Sequence, residues 1–474
     1  MPRYVLAYSG GLDTSVMLRW LQETHGAEVV TFTADLGQKQ ELRGVREKAL
    51  ATGASRAFVV DLRPEFVADY VWPSLKAGAL YQGVYPLATA LGRPLIAAHA
   101  VRIAREVGAD AFVHGCTGKG NDQVRLEVGV RTLAPELRCL APLRDWELRS
   151  REEEIAWARS RGIPISATLA SPYSIDENLW GMAIEAGALE DPWTAPPADC
   201  WQLTVDPMAA PEPGVEVRLV FEAGVPVALD GEPLDGPALV EQLNTLAAAH
   251  GVGRLDVIED RLVGIKSREV YEAPAAVVLH TAREALEQLV LDRETRRLKA
   301  ALGQELARLV YDGQWFTPLR QAIAAFVDEA VRPLGGEVRL RLRRGTVVAV
   351  GRRSSQALYQ HALATYSAGD SFDHRAATGF IELFGLAGRS TAAVRRQAEE
   401  AVEALQAATA HLDAGAAHVE AVAEKTVGGA TAAGGAAANS AGSATVKAAG
   451  SAAANTVGSR VASTARPRRS GALR

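Results

Sequence analysis

Cysteine is scarce, occurring only as Cys116, Cys139 and Cys200. Three widely spaced thiols with no Cys-x-x-Cys pair exclude a disulfide framework and offer no cysteine-based metal or redox motif. There is little excess charge of either sign: the formal net charge is -5 over 474 residues. A protein that grips phosphate backbones carries a basic surface, so no nucleic-acid partner is expected. No apolar run approaches the roughly 18 to 20 residues of a membrane span, and no basic segment leads into an apolar one at the start. The expectation is therefore a soluble, cytoplasmic protein with reduced thiols and no membrane partner. Aromatic residues stop altogether after Phe384. From about Ala414 the chain is mostly Ala, Gly, Ser and Thr, with too little apolar area to offset its ordering entropy. Residues 414–474 are expected to be a low-complexity, disordered tail with a basic tip at Arg466, Arg468 and Arg469.

Over residues 1–165, short apolar runs alternate with amphipathic ones. Tyr4–Tyr8, Val29–Thr33, Ala57–Val60 and Ala111–Val113 read as buried strands, rich in β-branched and aromatic residues. A polar helix is expected from about Glu41 to Ala51, and a long one from near Pro94. This alternation predicts an α/β domain with a parallel sheet covered by helices on both faces, its ligands beyond the carboxyl ends of the strands. Residues 166–388 read as a second, α+β domain. Val217–Phe221 with Val225–Leu229, and Glu337–Leu342 with Val347–Val350, alternate apolar with polar as antiparallel hairpins do. A helix is expected over roughly Thr281 to Val310. A last amphipathic helix, 389–413, carries Val394, Ala398, Val402, Leu405 and Leu412 at helical spacing.

Chemistry concentrates in two loops. Ser9-Gly10-Gly11-Leu12-Asp13-Thr14-Ser15 lies between the first strand and a helix. The glycines let backbone N–H groups approach an anion, the helix start adds partial positive charge, and three hydroxyls can donate. A Walker A loop is excluded, because no Gly-Lys-Ser/Thr closes the string. The second loop, His114-Gly115-Cys116-Thr117-Gly118-Lys119-Gly120-Asn121-Asp122-Gln123-Val124-Arg125-Leu126-Glu127, exposes backbone through three glycines. It supplies both cationic donors and a carboxylate, a set suited to a zwitterion. Cys116 has no evident base beside it, so a loop-filling thiol is the reading there.

Ser9–Ser15 resembles the PP-loop of the N-type ATP pyrophosphatases, and His114–Glu127 resembles the second signature of the argininosuccinate synthase family within them. Ala34–Gln38, Tyr85–Leu87, Tyr173–Asn178, Lys266–Arg268 and Tyr271–Glu272 add to the likeness, which runs from about residue 3 to 385. The resemblance implies an adenine nucleotide alpha-hydrolase (PP-loop) domain, a synthetase domain and a C-terminal helix, assembled as a homotetramer. It implies an ATP-dependent ligase, with Mg²⁺ accompanying ATP, that condenses L-citrulline with L-aspartate through a citrullyl-adenylate. ATP would meet Ala7, Tyr8, Ser9, Gly10, Gly11, Leu12, Asp13, Thr14, Ser15, Ala34 and Gly115. Aspartate would meet Thr117, Asn121 and Asp122, and citrulline Tyr85, Asn121, Arg125, Ser174, Glu259 and Tyr271. Asp13, Asp122 and Arg125 are the candidate catalytic residues, and no protein metal cage is expected. Taken alone, Glu259 would be an ordinary exposed carboxylate and Tyr271 a packed ring.

Two departures stand out: Ala90 and Ala183 occupy positions where some members carry serines that help hold citrulline, and Met182 replaces a frequent arginine. Another PP-loop ligase and an inactive nucleotide-binding scaffold are the rival readings.

Overall fold

The computed structural model describes residues 1–38, 42–148, 150–164, 173–367 and 369–430. Five parallel strands form the first sheet, in the order β3-β2-β1-β4-β5: β1 Arg3–Ala7, β2 Glu28–Asp35, β3 Arg56–Asp61, β4 Ala111–Val113 and β5 Arg138–Leu140. Side chains alternate across this sheet with period two. Val5 and Phe32 enter one core, while Tyr4, Leu6 and Tyr8 pack on the other face against Val16 and Met17 of the helix Leu12–His25.

Two antiparallel sheets follow. One has the order β11-β12-β7-β6, from β6 Ser174–Asn178, β7 Gly181–Glu185, β11 Arg254–Asp260 and β12 Lys266–Glu272. The other has the order β10-β9-β8-β13-β14, from β8 Val215–Glu222, β9 Val225–Leu229, β10 Glu232–Pro233, β13 Gly336–Arg343 and β14 Thr346–Arg353. Both expected hairpins lie in this second sheet. Arg344 and Gly345, at φ 43 and 75, make the tight turn that joins β13 to β14.

Residues on both sides of 165 share one core, in which Val5 and Phe32 belong to the same cluster as Leu286 and Leu340. Met1–Asp370 is accordingly one compact unit.

Several helix boundaries differ from the sequence expectation. The long helix runs Ala88–Val107 and carries Pro94 in its interior. Proline there removes one backbone hydrogen bond, a loss the buried packing of Ala88, Leu91 and Leu95 outweighs. The span Thr281–Val310 is two helices, Pro274–Val290 and Arg293–Tyr311. Asp292 starts the second by accepting from the Glu294 and Thr295 N–H groups at 2.9 and 3.0 Å. The polar helix near Glu41 begins at Val45, after Gly44 in the left-handed region. Residues 39–41 lie outside the described residues.

Ser371–Arg474 forms a second unit, described through the helices Ala376–Phe384 and Leu386–Ala430. The latter reaches well beyond the expected 389–413 into the alanine-rich stretch, where helix propensity is high. The rest of the expected tail, 431–474, lies outside the described residues. Phe380, Phe384, Leu405 and Leu412 are exposed. Among the described residues no helix is long and apolar enough to cross a membrane.

Candidate functional site

The strand β1 ends at Ala7 and hands the chain to Tyr8, whose N–H donates to the Phe32 carbonyl at 2.9 Å. Tyr8 is tied on its other side as well, its carbonyl accepting from Thr33 Oγ1 at 2.6 Å. Gly10, at φ 82, then takes a left-handed conformation costly for any residue with a Cβ. Gly11 precedes the helix Leu12–His25 and supplies no side-chain cap, so the first N–H groups of the helix are left for a ligand. Hydroxyls brace this loop: Ser9 Oγ and Thr14 Oγ1 share a hydrogen bond at 3.2 Å, and Ser15 Oγ donates to the Gly11 carbonyl at 2.7 Å. Tyr8 and Ser15 share another at 3.0 Å. The result is a pre-shaped anion cradle at the carboxyl edge of the parallel sheet. Ala34 sits nearly buried near the end of the adjacent β2.

Asp13 and Glu154 are the carboxyls beside this cradle. Glu154, on the helix Arg151–Ser160, is 8% exposed, and its Oε2 has no N–H or hydroxyl partner among the described residues. Burial first, then the Asp13 charge, pushes Glu154 up to about 8. A raised folded value favours the protonated form in the native state. Its stabilising contribution is therefore complete below the ordinary value of 4.5 and lost as pH rises through about 8. Glu154→Gln keeps the shape without the titration. Its thermal midpoint should exceed that of the unsubstituted protein at pH 9 and differ little at pH 6. Parallel pH profiles for the two proteins would contradict a carboxyl held protonated here.

The second loop reaches from this cradle to a cavity. A Cβ on Gly115 would lie 3.5 Å from Thr14 Cγ2, so the loop starts against the anion cradle. Its far end enters the helix Asp122–Leu133, where Asn121, Asp122 and Arg125 fall on one face. His114 and Glu127 close it off at 3.3 Å. The His114 hydrogen bond, with help from Arg144, holds Glu127 down at about 2. Burial and the nearby Asp122 charge push the Cys116 thiol up to about 12. It stays protonated at neutral pH and cannot serve as a thiolate nucleophile.

The cavity, of about 80 Å³, is lined by Thr89, Gly120, Asn121, Asp122, Arg125, Ser174, Asp176, Ala183, Glu185, Arg261 and Glu269. Strand pairing builds its floor. Ser174 and Asp176 stand opposite Glu185 and Ala183, and Ala183 stands opposite Tyr271, so one face of the antiparallel sheet carries them all.

Opposite charges are interleaved around this space. Asp122 Oδ1 accepts from Arg125 at 3.0 Å and Oδ2 from Arg93 at 2.8 Å, while Arg93 also pairs with Asp176. Burial alone would raise the Asp122 carboxyl, but the two guanidinium groups outweigh it and hold it well below the usual range. Arg261 pairs with Glu185 and, at 3.0 Å, with Glu269.

Behind the wall lies a tyrosine–carboxylate network. Tyr85 stacks on Tyr271 with ring centroids 4.1 Å apart, and Tyr81 stacks on Tyr311 at 3.5 Å. The Tyr311 hydroxyl donates to Glu259 Oε2 at 2.7 Å and accepts from Asn121 Nδ2 at 2.8 Å. Tyr271 has one hydroxyl hydrogen but faces both Glu259 and, at 2.7 Å, Glu269. Burial, then the charges of Glu259 and Glu185, push Glu269 up to about 7.

Of the residues singled out from sequence, Asn121, Asp122, Arg125 and Ser174 line the cavity, while Tyr85, Glu259 and Tyr271 stand directly behind it. Glu259 is 1% exposed, so reading it alone as a surface carboxylate is corrected by its two tyrosine partners. Thr117 is exposed on the loop and does not line the cavity. Ala183 lines it, whereas Ala90 is fully buried. Arg93, Glu185, Arg261 and Glu269 carried no signal in the sequence beyond being charged; Asp176 lay unremarked inside a quoted string.

A parallel sheet with a glycine-rich strand-to-helix turn at its carboxyl edge, joined by one loop to a cavity of paired charges, is the arrangement of a nucleotide-binding enzyme. Two family models match the chain: the arginosuccinate synthase N-terminal HUP domain over residues 3–164 and the arginosuccinate synthase C-terminal domain over residues 173–391. An argininosuccinate synthase of Chlorobaculum tepidum is 54% identical over 385 residues, 81% of this chain and 96% of that relative. Those of Chlorobium chlorochromatii and Chlorobium limicola are each 54% identical over 384 residues, with the same coverage. The chain belongs to the argininosuccinate synthase family, a family of carbon-nitrogen ligases.

Proposed function

We propose that this protein condenses L-citrulline with L-aspartate to argininosuccinate, splitting ATP to AMP and pyrophosphate. The carrying observation is that one segment, His114–Glu127, touches the anion cradle at Gly115 and lines the charged cavity at Asn121, Asp122 and Arg125. The ureido carbon of citrulline is a poor electrophile, because nitrogen lone pairs delocalise into the carbonyl. Attack of the ureido oxygen on the α-phosphorus expels pyrophosphate and gives a citrullyl-adenylate. The aspartate amine then attacks the activated carbon, losing a proton as AMP departs.

In such a displacement the protein chiefly positions reactants and neutralises charge. The cradle from Ser9 to Ser15 holds the departing pyrophosphate. Asp122 receives the aspartate ammonium, with Asn121 beside it in the cavity and Thr117 on the exposed part of the same loop reaching the substrate from outside. Arg125, Ser174 and the Tyr85, Glu259 and Tyr271 network shape the citrulline subsite. Asp13 offers a carboxyl to a hard cation beside the cradle, whereas Glu154, buried and favoured in its protonated form, does not. Mg²⁺ brought by ATP would be held there mostly by phosphate oxygens and water, and would neutralise phosphate charge. With alanine at 183, the cavity lacks a hydroxyl worth about 1 kcal/mol, so citrulline affinity is about fivefold weaker than with serine there. The exposed apolar side chains of Leu386–Ala430 support self-association, read here as a homotetramer.

The test is release of AMP and pyrophosphate from ATP, with citrulline or aspartate omitted in turn. Pyrophosphate should appear only with citrulline present, and turnover to AMP should need both amino acids. Citrulline-independent release would overturn the substrate assignment. Silence under every condition would favour an inactive nucleotide-binding scaffold.

A further inference from the structure

ATP brings several negative charges to the cradle, yet the segment Ala7–Ser15 contains no lysine or arginine and does contain Asp13. Helix-start N–H groups and hydroxyls supply only partial charges, so a full positive charge is wanted nearby. Among the described residues one lysine meets that need. Lys48, on the helix Val45–Thr52, extends to the carbonyl oxygen of Gly10 inside the cradle. Its neighbours Arg46 and Glu47 are exposed, whereas Lys48 is half-buried.

Its pairing differs from that of the other described lysines that are not exposed. Lys76 and Lys299 are each within ion-pair distance of a carboxylate, Asp328 and Glu287 respectively. Among the described residues Lys48 has no carboxylate partner, and burial alone depresses its ammonium from the ordinary value. A half-buried ammonium with only a neutral carbonyl for company is a costly arrangement unless an anion arrives to complete it.

We propose that Lys48 is a pyrophosphate-binding residue: its ammonium leaves the Gly10 carbonyl and pairs with the β- and γ-phosphates of ATP, then with departing pyrophosphate. No proton is transferred; the ammonium donates hydrogen bonds throughout and lowers the energy of the leaving group. Flexible lysine suits a charge that grows during the step, because its point charge can follow the moving oxygens. This assignment rests on the ATP-splitting reading above, and its test reads binding as well as turnover.

The experiment compares the full-length protein with Lys48→Met and Lys48→Arg. Inorganic pyrophosphate and ATP are titrated calorimetrically without amino acids, and steady-state KM values are measured for all three substrates. Loss of a charge-assisted hydrogen bond predicts about tenfold or greater weakening of pyrophosphate and ATP binding in Lys48→Met. Citrulline and aspartate KM values should stay within about twofold, and Lys48→Arg should recover most of the affinity. Unchanged pyrophosphate affinity in Lys48→Met would overturn the proposal. So would weakening that Lys48→Arg fails to relieve, or one shared equally by all three substrates, since either marks a brace for Gly10. Because unsubstituted protein is titrated in parallel, loss of the ligase reading itself would show as turnover failing while pyrophosphate binding persists.

Discussion

Asp122→Ala should lower kcat/KM for aspartate by roughly a hundredfold or more, with the loss expressed in the aspartate KM. Both carboxylate oxygens of Asp122 are engaged, one by Arg125 and one by Arg93. Removing one member of a buried ion pair typically costs about 3 to 5 kcal/mol, because the remaining charge is left without compensation. Asp122 is partly exposed to the cavity, and Arg93 keeps Asp176 while Arg125 keeps the Tyr311 carbonyl. The lower figure therefore applies to stability, and the melt reads it; on the substrate side, loss of the ammonium's charge partner costs about 3 kcal/mol, a little over a hundredfold. Asp122→Asn separates charge from shape: it can still accept hydrogen bonds but cannot neutralise an ammonium. Steady-state kinetics with aspartate varied, beside a thermal melt, decide the matter. A normal aspartate KM in both variants would sink the role of Asp122 as the ammonium partner and leave it as framework.

Gly11→Val should abolish measurable ATP binding while leaving the fold intact. Gly11 has φ -68 and ψ 179, ordinary extended backbone open to a β-branched residue, and it lies exposed at the loop surface. A Cβ there would sit 3.3 Å from Ser9 Oγ, and the expected effect is that a branched side chain at this exposed loop position crowds the approach of an anion. Blocking pre-organised donors of this kind costs on the order of 10² to 10³ in related sites. Calorimetric titration with ATP and a thermal melt suffice as checks. Retained ATP affinity would mean that the phosphates lie elsewhere. A collapsed melting temperature would mean that Gly11 serves the fold rather than the ligand. Gly10→Val would be a poorer probe, since φ 82 adds backbone strain to any effect on the ligand.

What could be read in advance depended on how local each feature is. The cradle was legible because its strand end, glycines, hydroxyls and helix start are contiguous. The loop His114–Glu127 was legible for the same reason. Helix boundaries were less so. Asp292 is a sequence-visible cap that splits one apparent helix into two, whereas Pro94 misleads, because core packing carries the Ala88–Val107 helix through it.

The amino-acid order alone determined the alternation of strands and helices, the anion cradle, the donor-rich loop and the membership of the argininosuccinate synthase family. Each of these follows from neighbours along the chain, through backbone geometry, periodicity and contiguous strings. Tertiary structure alone decided that Glu259 is buried between two tyrosines, that Arg93 bridges Asp122 to Asp176, and that Lys48 reaches Gly10. Arg93 and Asp176 are 83 positions apart, and Asn121 and Tyr311 are 190 apart. The state of a charged group depends on burial and on the partners within a few ångströms, and only the folded chain brings such partners together.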